Sequence, residues 1–416
     1  MQKKFGDYKK IVIKVGSSLL VEDNGDKAGQ GIGPSTEPST GASTGDRTGD
    51  RTGDRTGHSG GAQDSGEKVK KQWLQTLAED ISDIRENGAA VMVVSSGATA
   101  LGRRLLNIDK SAREELEIKQ AASAMGQIAL MTAWRDVFQQ HHIAVAQILL
   151  TPQDTEERHR HLNGRATIDT LLRLGTLPII NENDSVATDE LKYGDNDRLS
   201  ARVASMVSAD LLILLSDVDG LYDANPKTNA GARHVPFLDA VSDEVMGWAS
   251  GTGDRRGTGG MITKLQAGKI ALAAGVDMVI TSGLDLHPLR ALQAGARASW
   301  LVSNIAPQTA RKKWLAGMLN HEGEIVIDDG AWQAVRGGRS LLAAGVKQLT
   351  SRLGFEKGAA ILIKNTAGKR IGVGLVNHAS GDVMQMIGKQ STEIKKLFPG
   401  GIKVELIDRD NLVLDE

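Results

Sequence analysis

Not one of the 416 residues is cysteine, so disulfides, thiolate metal sites and cysteine nucleophiles are excluded together. Nor does any apolar run approach the roughly 18 residues of a membrane-spanning helix. The N-terminus, M-Q-K-K-F-G-D-Y-K-K, passes straight into strand-like I-V-I-K-V and lacks the roughly 7–15-residue apolar core of a secretion signal. A cytoplasmic location and no membrane partner are the expectations. An excess of charge is missing too: 50 Lys and Arg against 51 Asp and Glu leave a net −1, which gives no global attraction for nucleic acid or acidic membranes. Two nucleotide-binding signatures also fail. No G-x-x-x-x-G-K-[ST] occurs, which excludes a P-loop enzyme. After Gly251 and Gly253 the next glycine is Gly257, one residue late for the dinucleotide fingerprint.

What is present is an ordinary globular composition, 40% hydrophobic and 24% charged, in a chain long enough for two or three domains. Lys10 to Val15 alternates and is β-branched, which predicts a first strand ending at Gly16-Ser17-Ser18. From Asn24 to Gly66 the texture breaks: twelve glycines fall in 43 residues, and the four-residue unit T-G-D-R occurs three times between Thr44 and Arg55. Such a segment has too little apolar surface to offset the entropy of ordering it, so residues 24–66 read as a disordered insertion.

Order resumes near Val69, where Trp73, Leu77, Ile81 and Ile84 fall on one helical face. Strands are expected at 89–94, 143–150, up to Ile180, at 211–215 and at 276–280, and helices at 114–140, 163–174, 196–207 and from the glycine stretch 257–260 to about Ala274. Short apolar strands alternating with helices specify an α/β, doubly wound, mostly parallel sheet. From about Glu322 short strands and turns replace this alternation. The expected organisation is a first domain over 1–305, a connection over 306–321 and a small β-rich domain over 322–416.

The chemistry concentrates at 178–199, P-I-I-N-E-N-D-S-V-A-T-D-E-L-K-Y-G-D-N-D-R-L. A buried strand there empties into a dense set of carboxylates and amides, and open α/β sheets bind ligands beyond the carboxyl ends of their strands. An acidic surface loop is the competing reading. Glycine or hydroxyl turns close three further segments: Lys14-Val15-Gly16-Ser17, Ser95-Ser96-Gly97 and Ser216-Asp217. A fourth glycine-rich stretch leads to Lys264. Glycines let backbone N–H groups approach phosphate, and a helix N-terminus adds a favourable dipole. Singly, each turn also suits mere packing, and Lys14 an edge strand. Histidine pairs at 141/142 and 159/161 offer a metal site or, more simply, solvated surface.

Taken together, K-V-G-S-S from Lys14, V-V-S-S-G-A, P-I-I-N-E-N-D, G-D-N-D-R-L-S-A, L-L-S-D-V-D-G-L-Y and G-T-G-G-M-I-T-K resemble the glutamate 5-kinases of the amino acid kinase family. The resemblance spans nearly the whole chain apart from 24–66, and G-E-I-V-I-D-D-G-A resembles the PUA domain that many bacterial members carry. It implies the amino acid kinase fold and transfer of phosphate from MgATP to the γ-carboxylate of L-glutamate, the first step of proline biosynthesis. By resemblance, Lys14, Lys264 and Asp197 are catalytic, and the ATP contacts are Lys14, Ser216, Asp217, Thr258, Gly259, Gly260, Met261, Ile262, Thr263 and Lys264. Ser96, Asp184 and Asn196 would bind glutamate. Asp195 and Asp197 would hold Mg²⁺ or orient the lysines, unless they form a helix N-cap box. Two departures stand out: the insertion follows the first strand closely, and Ser216 stands where the family often has Thr.

Such chemistry fits the absence of histidine and cysteine from the motifs. A carboxylate with a reference pKa of roughly 4.3 is already ionised at pH 7 and needs no general base. The resemblance further implies a homo-oligomer, feedback inhibition by proline and a separate glutamyl-phosphate reductase, because relatives fused to that enzyme use a cysteine in it. Two alternatives remain: another carboxylate or carbamate kinase of the same fold, or an RNA-binding protein acting through the C-terminal domain. RNA binding is doubtful, since residues 322–416 carry 13 Lys and Arg against 12 Asp and Glu, a balance of +1.

Overall fold

Strands β1 (Lys10–Val15), β2 (Ala90–Ser95), β3 (Val145–Leu150), β4 (Leu177–Glu182) and β5 (Leu211–Ser216) alternate with helices α1 (Ser17–Leu20), α2 (Lys71–Glu86), α3 (Ala98–Leu105), α4 (Leu116–Gln139), α5 (Pro152–Glu156), α6 (Arg158–Arg173) and α7 (Asn196–Val207). There follow β6 (Leu221–Tyr222), β7 (His234–Val235), β8 (Phe237–Leu238), α8 (Asp243–Ala249), α9 (Met261–Ala273), β9 (Asp277–Ser282), α10 (Pro288–Gln293) and β10 (Ala298–Leu301). The structure, a computed structural model, describes residues 4–21, 69–108, 115–186, 196–249, 260–307, 309, 310, 312, 321–351 and 353–415. The insertion expected at 24–66 and most of the second half of the 306–321 connection lie outside these residues. Val21 and Val69, which flank residues 22–68, form an antiparallel bridge.

An eight-stranded sheet runs β3-β4-β2-β1-β5-β9-β10-β8. The strands from β3 to β9 are mutually parallel, and β10 runs antiparallel to β9. Lys14 is therefore on a central strand, between β2 and β5, and not at an edge. The period of two divides the core. Ile11, Ile13, Val91, Val93 and Ile213 pack with Trp73, Leu77, Trp134 and Phe138 of α2 and α4 on one face. Val12, Met92, Val94, Leu212 and Leu214 pack with Leu199, Val203 and Ala267 of α7 and α9 on the other. Each such side chain contributes roughly 1.5–3 kcal/mol by leaving water. Lys14 shares the parity of Val12, so it projects toward α7 and α9.

Helix α3 was not expected. It starts at Gly97, whose φ of +104° places it in the left-handed region that a side chain would disfavour. The helix then crosses α4 with backbones nearly touching. A Cβ on Gly102 would stand 1.6 Å from the Ala122 carbonyl oxygen, and one on Gly126 would stand 1.7 Å from that of Ala98. Helix α6 begins at Arg158, five residues before the expected start, because its first turn is polar and carries no apolar periodicity.

The C-terminal strands β11 (Gly323–Ile327), β12 (Leu341–Leu342), β13 (Val346–Thr350), β14 (Ala360–Asn365), β15 (Arg370–Val376) and β16 (Glu405–Leu414) form a second sheet, ordered β12-β16-β15-β14-β11-β13. It closes over its own core of Ile325, Ile327, Phe355, Ile361, Ile363 and Leu406. Helices at Asp329–Arg336, Ser380–Met386 and Ser391–Leu397 accompany the expected strands. This unit rests on α6: Arg158 pairs with Glu322 at 2.9 Å, the His159 ring meets the Lys357 carbonyl at 3.1 Å, and Leu162 packs against Ala360, Val373 and Leu375. His161 Nδ1 lies 3.1 Å from the Thr155 carbonyl. Among the described residues no cluster of three or more His, Asp or Glu is arranged for a metal, and no helix is long and apolar enough to cross a membrane.

Candidate active site

Three charged side chains from three distant elements converge beyond the carboxyl ends of β1 and β5. Asp197, the second residue of α7, is fully buried, and Lys14 of β1 and Lys264 of α9 are each only 7% exposed. Lys14 Nζ lies 2.6 Å from Asp197 Oδ1, and Lys264 Nζ lies 3.0 Å from Oδ2. The Thr263 hydroxyl is a further donor to Oδ2, at 3.1 Å. Burial pushes the Asp197 carboxyl up, but the two ammonium groups outweigh it and hold the carboxyl below its ordinary range. Two cations around one carboxylate leave a net +1 at the first turns of α7 and α9, where the helix dipoles also favour an anion.

A second group is held by amides and hydroxyls. Asn196 Nδ2 donates to the Ser95 carbonyl at 2.7 Å, to Ser96 Oγ at 2.8 Å and to Asn181 Oδ1 at 2.9 Å. One amide thus ties the ends of β2 and β4 to the start of α7. An amide nitrogen carries two hydrogens, so three acceptors engage both and leave Oδ1 as the group to offer a ligand. Trp134 Nε1 donates to Ser95 Oγ at 3.0 Å, and Asn181 Oδ1 also accepts from the Glu182 N–H at 2.9 Å. Asp184, just past β4, accepts from Ser123 Oγ of α4 at 3.1 Å.

The structure brings Lys14, Asp197, Thr263 and Lys264 into one cluster, and Ser96 and Asn196 into contact beside it. Ser216 closes β5, next to β1; its buried hydroxyl donates to the exposed Asp217 carboxylate at 3.0 Å. Gly260, exposed, caps the start of α9, whose first residues Met261 and Ile262 are half-buried and exposed. Asp195, Thr258 and Gly259 lie outside the described residues. Both Asp197 oxygens face lysines, so a divalent cation there would meet two like charges. Of the two readings for Asp197, the contacts favour orienting the lysines over holding a metal, and they show its carboxylate turned into the cluster.

The motifs of the sequence do not include Ser123 or Trp134. Ser123 and Trp134 lie inside a long helix with no motif around them, and only the fold carries them to the ends of β2 and β4. Asn181 stood in the polar cluster but carried no assigned role.

A model of the amino acid kinase family matches residues 9–282, and a PUA domain model matches residues 323–398. The chain is 43% identical over 407 residues to a glutamate 5-kinase of Paramagnetospirillum magneticum, covering 98% of each chain. It is 45% identical over 407 residues to a glutamate 5-kinase of Sinorhizobium fredii, covering 98% of this chain and 92% of that one.

Proposed function

This chain belongs to the amino acid kinase family, and from that premise we propose that it transfers the γ-phosphoryl group of ATP to the γ-carboxylate of L-glutamate, opening proline biosynthesis. The observation that carries the reading is the buried Lys14–Asp197–Lys264 cluster, at 2.6 and 3.0 Å. Full-length likeness to glutamate 5-kinases supports the choice of substrate.

Phosphoryl transfer asks for position and charge stabilisation more than for proton transfer. An oxygen of the glutamate γ-carboxylate forms a bond to the γ-phosphorus, the bond from that phosphorus to the β,γ-bridging oxygen breaks, and ADP leaves with the electron pair. Lys14 and Lys264 neutralise the charge on the oxygens of the moving group. Two unit charges about 4 Å apart at an effective dielectric of about 20 interact by roughly 4 kcal/mol, so their placement matters. Asp197 stays ionised and fixes both ammoniums, so little reorganisation is needed when phosphate arrives. Thr263 fixes the carboxylate in turn. Magnesium would travel with the nucleotide phosphates, and no described side chain is assigned to it.

For glutamate, the Asn196 Oδ1 and the Asp184 carboxylate are acceptors suited to an α-ammonium, while the Ser96 hydroxyl suits a carboxylate oxygen. A site built on such polar groups leaves them unpaired when a shorter acid binds. Steady-state assays with L-glutamate, aspartate, N-acetylglutamate and carbamate in parallel test this. The expected kcat/KM for glutamate exceeds that for each other acid by about 100-fold or more. Equal or better turnover of another acid would keep the fold and discard the substrate.

A further inference from the structure

Beside the outward flanks of α7 and α9 lies a cavity of about 610 Å³, within the size range of small-molecule sites. Neither Lys14, Asp197 nor Lys264 borders it. Its apolar wall includes Ile270, Ala273 and Pro307, and charged groups on it are Arg202 of α7, Lys269 of α9 and Glu156 of α5. Both cations are weakly held. Arg202 Nη2 lies 3.5 Å from Glu156 Oε1, and Lys269 Nζ lies 3.7 Å from Asp243 Oδ1, with all four side chains at least 42% exposed. Long, solvated pairs of this kind contribute little, so an incoming anion can take over the guanidinium fork and the ammonium.

Position gives the cavity its consequence. Arg202 follows Asp197 by five residues on α7, and Lys269 follows Lys264 by five on α9. Each cation therefore stands about 7.5 Å further along its helix, at 1.5 Å per residue. The two helices are joined at their first turns by the 3.0 Å contact between Lys264 and Asp197. An anion bridging Arg202 and Lys269 would join them a second time, about 1.4 turns further along.

We propose that this cavity is an effector site for a small organic anion, a carboxylate or phosphate on a short apolar body, whose bridging of Arg202 to Lys269 sets the spacing of Asp197 and Lys264. The effect on turnover rests on the kinase reading, whereas binding does not.

The test uses the full chain with its catalytic site filled by a non-hydrolysable ATP analogue and L-glutamate, and inorganic phosphate and succinate as separate probes. At least one probe should raise the melting temperature in a dose-dependent way by about 2–5 °C, and which one does distinguishes a phosphate from a carboxylate source. The rise should vanish in the Arg202→Gln/Lys269→Gln double variant and in Ala273→Trp, which fills the cavity without changing charge. No rise with either probe, or an equal rise in wild type and Ala273→Trp, would overturn the site. Where a probe binds, glutamate-dependent turnover of wild type should change at least twofold and that of Ala273→Trp should not. Binding that leaves turnover unchanged would overturn the effector role. Because melting is read without catalysis, failure of the glutamate reading leaves the binding result intact.

Discussion

Lys264 and Asp197 stand 67 positions apart in the chain, and Lys264 Nζ donates to Asp197 Oδ2 across 3.0 Å in a place almost closed to water. An ammonium there costs no reorganisation at the moment of transfer, so its loss falls on the chemical step. Lys264→Ala should lower kcat on the order of 100–1,000-fold and keep the native circular dichroism spectrum, because Lys14 and Thr263 still meet the carboxylate. Unchanged kcat would remove Lys264 from the mechanism.

The same cluster sets an acid limit on stability. Burial pushes the Asp197 carboxyl up, and Lys14 and Lys264 together bring it below the ordinary 3.8. The folded chain thus holds this proton less tightly than the unfolded chain. The resulting stabilisation is complete above about pH 4 and is lost as pH falls from there through the lower folded value. Denaturant titrations between about pH 2 and pH 4 should show stability falling more steeply in wild type than in Asp197→Asn. Equal slopes would mean that the lysines do not favour the ionised carboxylate.

Which parts of this were legible beforehand follows the physics of each signal. Apolar runs bounded by small residues gave the strands β1, β2 and β5 within a residue and the end of β4 within two, and Trp73, Leu77, Ile81 and Ile84 gave α2 by their spacing. The lysines and Asp197 were legible because they sit in motifs at strand ends and helix starts. Helix α3 was not, since its eight residues resemble a small-residue turn until α4 is set against it. Nor was the role of Ser123, which depends on a contact across 61 positions, or the docking of α6, whose polar first turn reads as solvated surface.

The α3–α4 crossing gives the most direct stability prediction. With the Ala98 oxygen 1.7 Å from where a Cβ on Gly126 would stand, Gly126→Ala must move backbone against backbone. Overpacking of this kind costs about 1–3 kcal/mol or more, so the urea midpoint should fall clearly below wild type. A wild-type midpoint would show that the helices part without cost.

Ser123 offers a test of substrate positioning. Its hydroxyl, 1% exposed, is held against Asp184 at 3.1 Å, and a hydrogen bond to a charged group contributes roughly 1.5–3 kcal/mol. Ser123→Ala should raise the KM for glutamate about 10–150-fold, the equivalent of that range of binding loss, while leaving the KM for ATP near wild type. A parallel rise in both would indicate general loosening of the site instead.

The central claim is a reaction, and its most direct test is the product. The purified protein is given MgATP and L-glutamate with hydroxylamine present, and ADP and hydroxamate are measured together. The account predicts glutamate-dependent ADP release matched by γ-glutamyl hydroxamate, both abolished in Lys264→Ala. ADP release that does not depend on glutamate, or that yields no γ-hydroxamate, would contradict it.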